Sequence, residues 1–135
     1  FAYTGEGWGL ASDGTVLYGT DGSSRVSVLD PATLSVVRSF EVMEAGRPLP
    51  ALNELEWVDG ELWANVYQTD FIARIDPATG TVTGYVGIGG ILTPDQKADV
   101  GARGGTANGI AYDAPSGRLL VTGKLWPVVA QIRKP

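Results

Sequence analysis

A pentapeptide that occurs twice is the feature that most constrains the fold of this chain. LDPAT, at Leu29 to Thr33, recurs as IDPAT at Ile75 to Thr79, 46 residues further along. The pairs Asp13-Gly14 and Asp59-Gly60 are separated by the same 46 residues, and each precedes an apolar run. A third, divergent copy opens at Asn108 with NGIAYD. Matches at one offset predict a chain built from repeated structural units.

Within each repeat, short apolar runs are separated by turn residues. RVSVLD and FIARID alternate with a period of two, which is typical of strands and not of helices. The Asp and Pro of DPAT favour a turn, and Gly80 can supply a positive φ before the next strand of the second copy. Four short strands in roughly 40 to 50 residues are typical of one blade of a β-propeller. The sequence therefore predicts an all-β chain of about three propeller blades.

The repeats divide a single propeller domain into blades at approximately 5–50, 51–90 and 107–135, with an insert at 91–106. In the insert, Thr93-Pro94-Asp95 predicts the start of a short helix, and Gly101 and Gly104-Gly105 predict its end. Propellers close with roughly 4 to 8 blades, so three blades leave exposed edges. We expect these edges to be covered by missing N-terminal blades of the same protein, by a second copy or by another polypeptide.

Composition excludes several kinds of function. The net charge is -5 and no basic cluster exceeds Arg133-Lys134, so nucleic acid is not an expected partner. No apolar run approaches the roughly 18 residues that span a membrane. The chain has no Cys and no His, which excludes disulfides, Cys nucleophiles, His bases and nearly all structural zinc sites. No cofactor is expected, although a ring of turn carboxylates could hold a structural calcium ion; the candidates are Asp21, Asp30, Asp70 and Asp76.

Four segments carry a resemblance to a known family. They are GEGWGL (Gly5 to Leu10), LNELEWVDGELWANVYQTD (Leu52 to Asp70), NGIAYD (Asn108 to Asp113) and VTGKLWP (Val121 to Pro127). In order and spacing they resemble the C-terminal portion of the plant-type glutaminyl cyclases, the glutaminyl-peptide cyclotransferases of plants and many bacteria. The resemblance implies a five-bladed, secreted or periplasmic propeller. It also implies a metal-independent acyltransferase that converts the N-terminal glutamine of peptides and proteins to pyroglutamate and releases ammonia.

The resemblance places the site at the mouth of the central channel. Trp8 matches a pocket tryptophan of the family, Asn53 matches an asparagine suited to bind the substrate amine or carbonyl, and Lys124 matches a lysine near the site. Asn53 and Lys124 are therefore the candidate catalytic residues. Trp8, Tyr67 and Asn53 are the candidate substrate-binding residues, and no residue is assigned to a metal.

The chain departs from the family pattern in two ways. Tyr67 stands where the family motif ANVWQTD has tryptophan, which keeps an aromatic face but adds a hydroxyl. The acid/base glutamate of the family belongs to an FGEGL-type motif in a blade that would precede Phe1, so we expect these 135 residues alone to be inactive. Glu6 lies in a similar GEG motif of a different blade. Glu6, Asn108 and Trp126 are weaker site candidates.

Structural interpretations of the same residues remain open. Trp57, Trp63 and Trp126 are predicted to fill space between blades, and Asn108 to satisfy backbone groups near the channel. Lys124 could be a surface lysine whose stem covers apolar neighbours. The alternative function is a non-catalytic propeller that binds a partner. A lactonase-like hydrolase would need channel calcium ligands, and the sequence offers no clear set of them.

Overall fold

The first blade is an antiparallel sheet of four strands. The computed structural model describes residues 5–135. Each strand of this blade pairs with the next along the chain: β1 (Gly9–Ser12), β2 (Leu17–Thr20), β3 (Arg25–Leu29) and β4 (Val36–Glu41). Val26 and Val28 of β3 are buried, whereas Arg25 is exposed and Ser27 is half-buried. This alternation confirms the predicted period of two.

The repeated DPAT segment forms the same kind of turn in both copies. Asp30 and Asp76 each accept a hydrogen bond from the backbone N–H two residues later, at 2.9 Å. Backbone hydrogen bonds of this kind lower the pKa of both carboxyls. Gly80 has the predicted positive φ, 73°. At the equivalent position of the first copy, Leu34 adopts a φ of 59°, a conformation that is uncommon for residues with a Cβ.

The second blade repeats the first, after a short hairpin that the repeat pattern did not predict. The hairpin consists of β5 (Met43–Glu44) and β6 (Arg47–Pro48), strands too short to show a period in the sequence. The second blade contains β7 (Leu52–Val58), β8 (Glu61–Val66), β9 (Phe71–Ile75) and β10 (Val82–Gly87), again paired in chain order. Its β7–β8 turn has positive φ at both Asp59 and Gly60, as a tight type I′ hairpin requires.

A helix occupies the insert where the sequence predicts one. Helix α1 spans Pro94–Ala102, and its N-terminus has a capping box. Thr93 Oγ1 accepts a hydrogen bond from the N–H of Gln96 at 3.3 Å, and Gln96 Oε1 accepts one from the N–H of Thr93 at 3.0 Å. Along residues 5–135, no helix has the length and apolar character needed to cross a bilayer.

The third blade contains three strands in the part of the chain that the structure describes. They are β11 (Thr106–Asp113), β12 (Arg118–Lys124) and β13 (Ala130–Ile132). The predicted turn at Ala114 to Gly117 joins β11 to β12, and Gly117 has a φ of 67°.

Two apolar cores lie between the blades. The core between the first and second blades contains Val26, Leu52 and Leu55, and the core between the second and third contains Trp63 and Leu119, all buried. The first strands β1, β7 and β11 lie side by side. Sheets that pack face to face with their first strands innermost have the arrangement of β-propeller blades, so the predicted all-β propeller fold is confirmed.

Two of the tryptophans have the packing roles that the sequence predicts. Trp63 is only 1% exposed in the second core. Trp57 stacks on Tyr18 of the first blade, with 5.6 Å between ring centroids and 7° between ring planes. Both rings therefore hold adjacent blades together.

Candidate active site

The predicted site residues lie along one rim of the three blades. In each blade the first strand begins where the antiparallel second strand ends, because Gly9 pairs with Thr20, Leu52 with Val66, and Thr106 with Lys124. Residues that precede a first strand or follow a second strand therefore meet at the same end. We call this end the rim.

The rim brings Trp8 and Tyr67 together, although 59 positions separate them. Trp8 precedes β1, and its N–H donates to the carbonyl of Thr20 at 3.0 Å. Tyr67 follows β8, and its N–H donates to the carbonyl of Ala51 at 2.8 Å. The two rings meet edge to face, with centroids 5.2 Å apart and planes at 76°. Such a pair presents aromatic surface from two adjacent blades to one space.

Gly22 lets the Trp8 ring lie against the backbone of the β2–β3 turn. A Cβ at Gly22 would come within 2.7 Å of the ring, and its φ of 84° also disfavours any other residue. A glycine is therefore required at this position for Trp8 to reach Tyr67. Nothing in the sequence alone could pair Gly22 with Trp8, because the contact depends on the packed turn.

Asn53 lies in a β-bulge of the innermost strand β7. Leu52 pairs with Val66 and Leu55 with Ala64, so Asn53 and Glu54 together face a single residue of β8. The carbonyl of Asn53 accepts a 2.7 Å hydrogen bond from the Thr20 hydroxyl, and both residues are buried. A bulge redirects side chains out of the regular ladder. The first blade therefore fixes the backbone from which the Asn53 amide projects.

A similar bulge occurs in β11, where Asn108 and Gly109 lie between the paired residues Ala107 and Ile110. Asn108 Oδ1 accepts a hydrogen bond from the N–H of Glu54 at 3.3 Å. In the same region Asn65 Oδ1 accepts one from the N–H of Gly109 at 2.9 Å. Asn108 therefore satisfies a backbone group, as its structural interpretation predicts, and it does so beside Asn53.

Lys124 and Trp126 lie at the same rim on the third blade. Lys124 ends β12 and is exposed, and Trp126 is half-buried against the second core. The Trp126 ring covers Gly123, where a Cβ would collide with the indole nitrogen and with the carbonyl of Thr106. Glu6 is exposed and lies ahead of β1. Trp8, Tyr67 and Lys124 therefore lie at the rim on three successive blades.

The pKa values of two carboxyls near Asn53 are raised. Burial, together with the neighbouring Glu56 carboxylate, raises the pKa of Glu54. Burial also raises the pKa of Glu56, against the effect of the hydrogen bond that it accepts from the N–H of Tyr112 at 3.0 Å. The alternation of acidic and apolar residues in LNELEWV was the available sequence signal for this pair, and the prediction did not use it.

The candidate calcium ligands are occupied in turns or ion pairs. Asp21 accepts hydrogen bonds from the N–H and hydroxyl of Ser23, which lower its pKa, and Asp70 pairs with Lys97. Within residues 5–135, no three acidic side chains converge as a metal site would require.

A cleft of about 460 Å³ opens at the rim beside Tyr67. We call it the rim cleft. Its walls come from the β8–β9 loop, from α1, from the start of β11 and from the segment after β12. They include Tyr67, Asp70, Lys97, Val100, Gly105 and Trp126. Lys97 and Asp70 form an ion pair that joins α1 to the loop. This cleft could not be predicted from the sequence, because its walls meet only after the insert folds back on the second blade.

Comparisons with known proteins show which family this chain resembles. The family model for glutamine cyclotransferase matches residues 1–133. The glutaminyl-peptide cyclotransferase of Arabidopsis thaliana is 45% identical over 129 residues, which cover 95% of this chain and 40% of that protein. The crystal structure of Myxococcus xanthus glutaminyl cyclase superposes with a TM-score of 0.84 at 34% identity, covering 97% of this chain and 56% of that one.

The fold is also shared with more distant propellers. The WD40 domain of Toxoplasma gondii coronin has a TM-score of 0.56 at 16% identity, and the match covers 92% of this chain and 30% of that one. This chain spans 40% of the length of the Arabidopsis protein and 56% of the Myxococcus chain. By the match of the family model to nearly its whole length, the chain belongs to the glutamine cyclotransferase family.

Proposed function

We infer that this chain supplies part of the active site of a glutaminyl-peptide cyclotransferase. The observation that carries the proposal is the rim, where Trp8 and Tyr67 of adjacent blades meet within 5.2 Å beside the bulge that presents Asn53. An aromatic pair next to a buried amide can hold a small polar group and exclude water around it. The substrates would be peptides and proteins with an N-terminal glutamine.

The reaction is an intramolecular aminolysis. The α-amine nitrogen of the glutamine forms a bond to its side-chain amide carbon, the bond from that carbon to the amide nitrogen breaks, and a proton passes from the amine to the departing ammonia. A protein catalyses this step by holding the near-attack geometry and by stabilising negative charge on the amide oxygen. We expect side chains at the rim to contribute to both tasks.

Each rim residue has a role that fits its chemistry. The Trp8 and Tyr67 rings would pack against the folded glutamine side chain. The amide of Asn53 can donate to the substrate carbonyl or accept from its amine, and the bulge holds it in place. The Lys124 ammonium would add positive charge near the developing oxyanion.

The proton carrier and the cover for the open faces would come from further blades of the same protein. Leu10 on the first blade and Val129 on the third are 60% and 67% exposed. A cavity lined by Leu10, Leu17 and Leu29 opens on the face of the first blade that has no neighbouring sheet within residues 5–135. Apolar faces of this kind pack against the next sheet in a propeller. Residues 1–135 expressed alone should therefore release no ammonia from a glutamine-initiated peptide.

The direct test is incubation of the complete gene product with such a peptide. Turnover releases ammonia and leaves a product lighter by one ammonia in the mass spectrum. Replacing Lys124→Met or Asn53→Ala should lower kcat/KM by about 10-fold or more. Lys134→Met is the matched control, because Lys134 pairs with Asp59 at the opposite end of the blade. Binding of the peptide without any change in mass would instead identify a non-catalytic binding module.

A further inference from the structure

The rim cleft raises the question of where the rest of the substrate lies. Only the first residue of the peptide reacts, so the chain that follows the glutamine carbonyl must leave the reaction centre along the protein surface. Tyr67 belongs both to the aromatic pair with Trp8 and to the wall of the rim cleft. A peptide whose first residue packs on Tyr67 therefore has the cleft directly beside its second residue.

The cleft is a built feature of the insert. The capping box at Thr93 fixes the start of α1, and Val100, only 4% exposed, anchors its last turn. The N–H of Gly105 donates to the carbonyl of Val100 at 2.8 Å, which ties the end of the helix to the start of β11. The ion pair between Lys97 and Asp70 connects the middle of α1 to the β8–β9 loop. These contacts hold the two walls at a set separation.

The lining of the cleft suits an uncharged side chain with its adjoining peptide groups, because it combines apolar surface with polar side chains from the β8–β9 loop and from β11. Lys97 and Asp70 neutralise each other across it. Tyr67, Trp126 and Val100 contribute aromatic and aliphatic surface, and Tyr67 remains 37% exposed. A volume of about 460 Å³ lies within the range of roughly 300 to 1,000 Å³ that is typical of small-molecule pockets. One large side chain and its adjoining peptide groups fit in such a space.

We propose that the rim cleft binds the second residue of the peptide, with a preference for a large apolar side chain. This rests on the proposed cyclotransferase function and assigns a new role to α1, Lys97 and Asp70. The insert then determines which glutamine-initiated peptides are converted efficiently, while Trp8, Asn53 and Lys124 act on the glutamine itself. Glutamine amide, which has no second residue, should be converted without using the cleft.

A glycine in the cleft wall provides the test. Gly101 lies in α1, and a Cβ there meets nothing within 4 Å, so Gly101→Leu fills the cleft without a backbone clash. Gly90→Leu is the matched control, because Gly90 is equally open but does not line the cleft. The complete gene product is assayed with glutamine amide, a Gln-Phe peptide and a Gln-Gly peptide. Gly101→Leu should lower kcat/KM for Gln-Phe by about 10-fold or more and leave the amide unchanged.

A second variant removes any dependence on how well the first one folds. Lys97→Glu changes an exposed side chain and places two carboxylates on the cleft wall. The ratio of kcat/KM for a Gln-Arg peptide over a Gln-Glu peptide should then rise by about fivefold.

The outcomes separate the two proposals. If the unchanged protein converts neither the amide nor the peptides, the proposed function is wrong. If it converts all of them, and both Gly101→Leu and Lys97→Glu leave every ratio between substrates as it was, the second residue does not bind in the rim cleft.

Discussion

The hydroxyl of Thr20 donates a hydrogen bond to the backbone carbonyl of Asn53, and Thr20→Val replaces that hydroxyl with a methyl group. Valine has nearly the same shape, so the packing around the 2%-exposed side chain changes little. The 2.7 Å hydrogen bond to the Asn53 carbonyl disappears, and this carbonyl is left without its donor between two blades. An unsatisfied buried acceptor costs about 1–3 kcal/mol. We therefore expect Thr20→Val to lower the free energy of unfolding by that amount.

Thr20→Val should also lower the rate of the reaction. If the Asn53 backbone relaxes toward another donor, its side chain shifts relative to the substrate, and displacements of this kind cost about 10-fold or more in rate. Chemical denaturation and ammonia release by the complete gene product measure the two effects. Thr20→Ser keeps the hydroxyl and is the control, expected to lose about 1 kcal/mol or less for its missing methyl and to keep its kcat.

Two results would refute this reasoning. If Thr20→Val keeps both its stability and its kcat, the hydrogen bond contributes nothing. If Thr20→Ser loses as much activity as Thr20→Val, the loss of the hydroxyl is not the cause, because serine keeps it.

Three further predictions concern Gly22, Glu54 and Glu61. Gly22→Ala should separate the Trp8 ring from the Tyr67 ring and raise KM for glutamine substrates. Gly14 has a similar φ of 89° but open space around its Cβ, so Gly14→Ala should affect stability alone. Steady-state kinetics of both variants test this prediction. Because the pKa of Glu54 is raised, its ionisation destabilises the folded state as the pH rises above the ordinary glutamate value of 4.5. Glu54→Gln should therefore raise the unfolding temperature at about pH 7 and leave it unchanged at about pH 3, where the carboxyl is neutral in both states. Glu61→Gln should lower the unfolding temperature at neutral pH. Burial raises the pKa of Glu61, but hydrogen bonds from Arg74 and Thr83 outweigh burial and lower it. Thermal melts in which Glu54→Gln and Glu61→Gln shift the unfolding temperature in the same direction would contradict this assignment.

Local signals in the sequence were enough to predict most of the fold. The DPAT turns, the alternation of RVSVLD and the helix start at Thr93 depend on residues within one turn of each other, and the structure confirms each of them. The hairpin of β5 and β6 was missed because two-residue strands carry no period.

The site was predictable only in part. Trp8, Asn53 and Tyr67 were identified through the resemblance to a family, and their catalytic roles remain predictions. The contacts that arrange them depend on tertiary packing: Thr20 meets Asn53 across 33 positions, and Lys97 meets Asp70 across 27. No short window of sequence contains such pairs. The rim cleft was missed for the same reason.

The hydrogen bonds between blades come from side chains that the repeats do not share. Thr20 of the first blade holds Asn53 of the second, and Asn65 of the second holds Gly109 of the third. The position 46 residues before Asn65 is Gly19, which has no side chain to offer. Recombination between the repeats, which could copy one blade over another and preserve the turns and the cores, would erase these bonds.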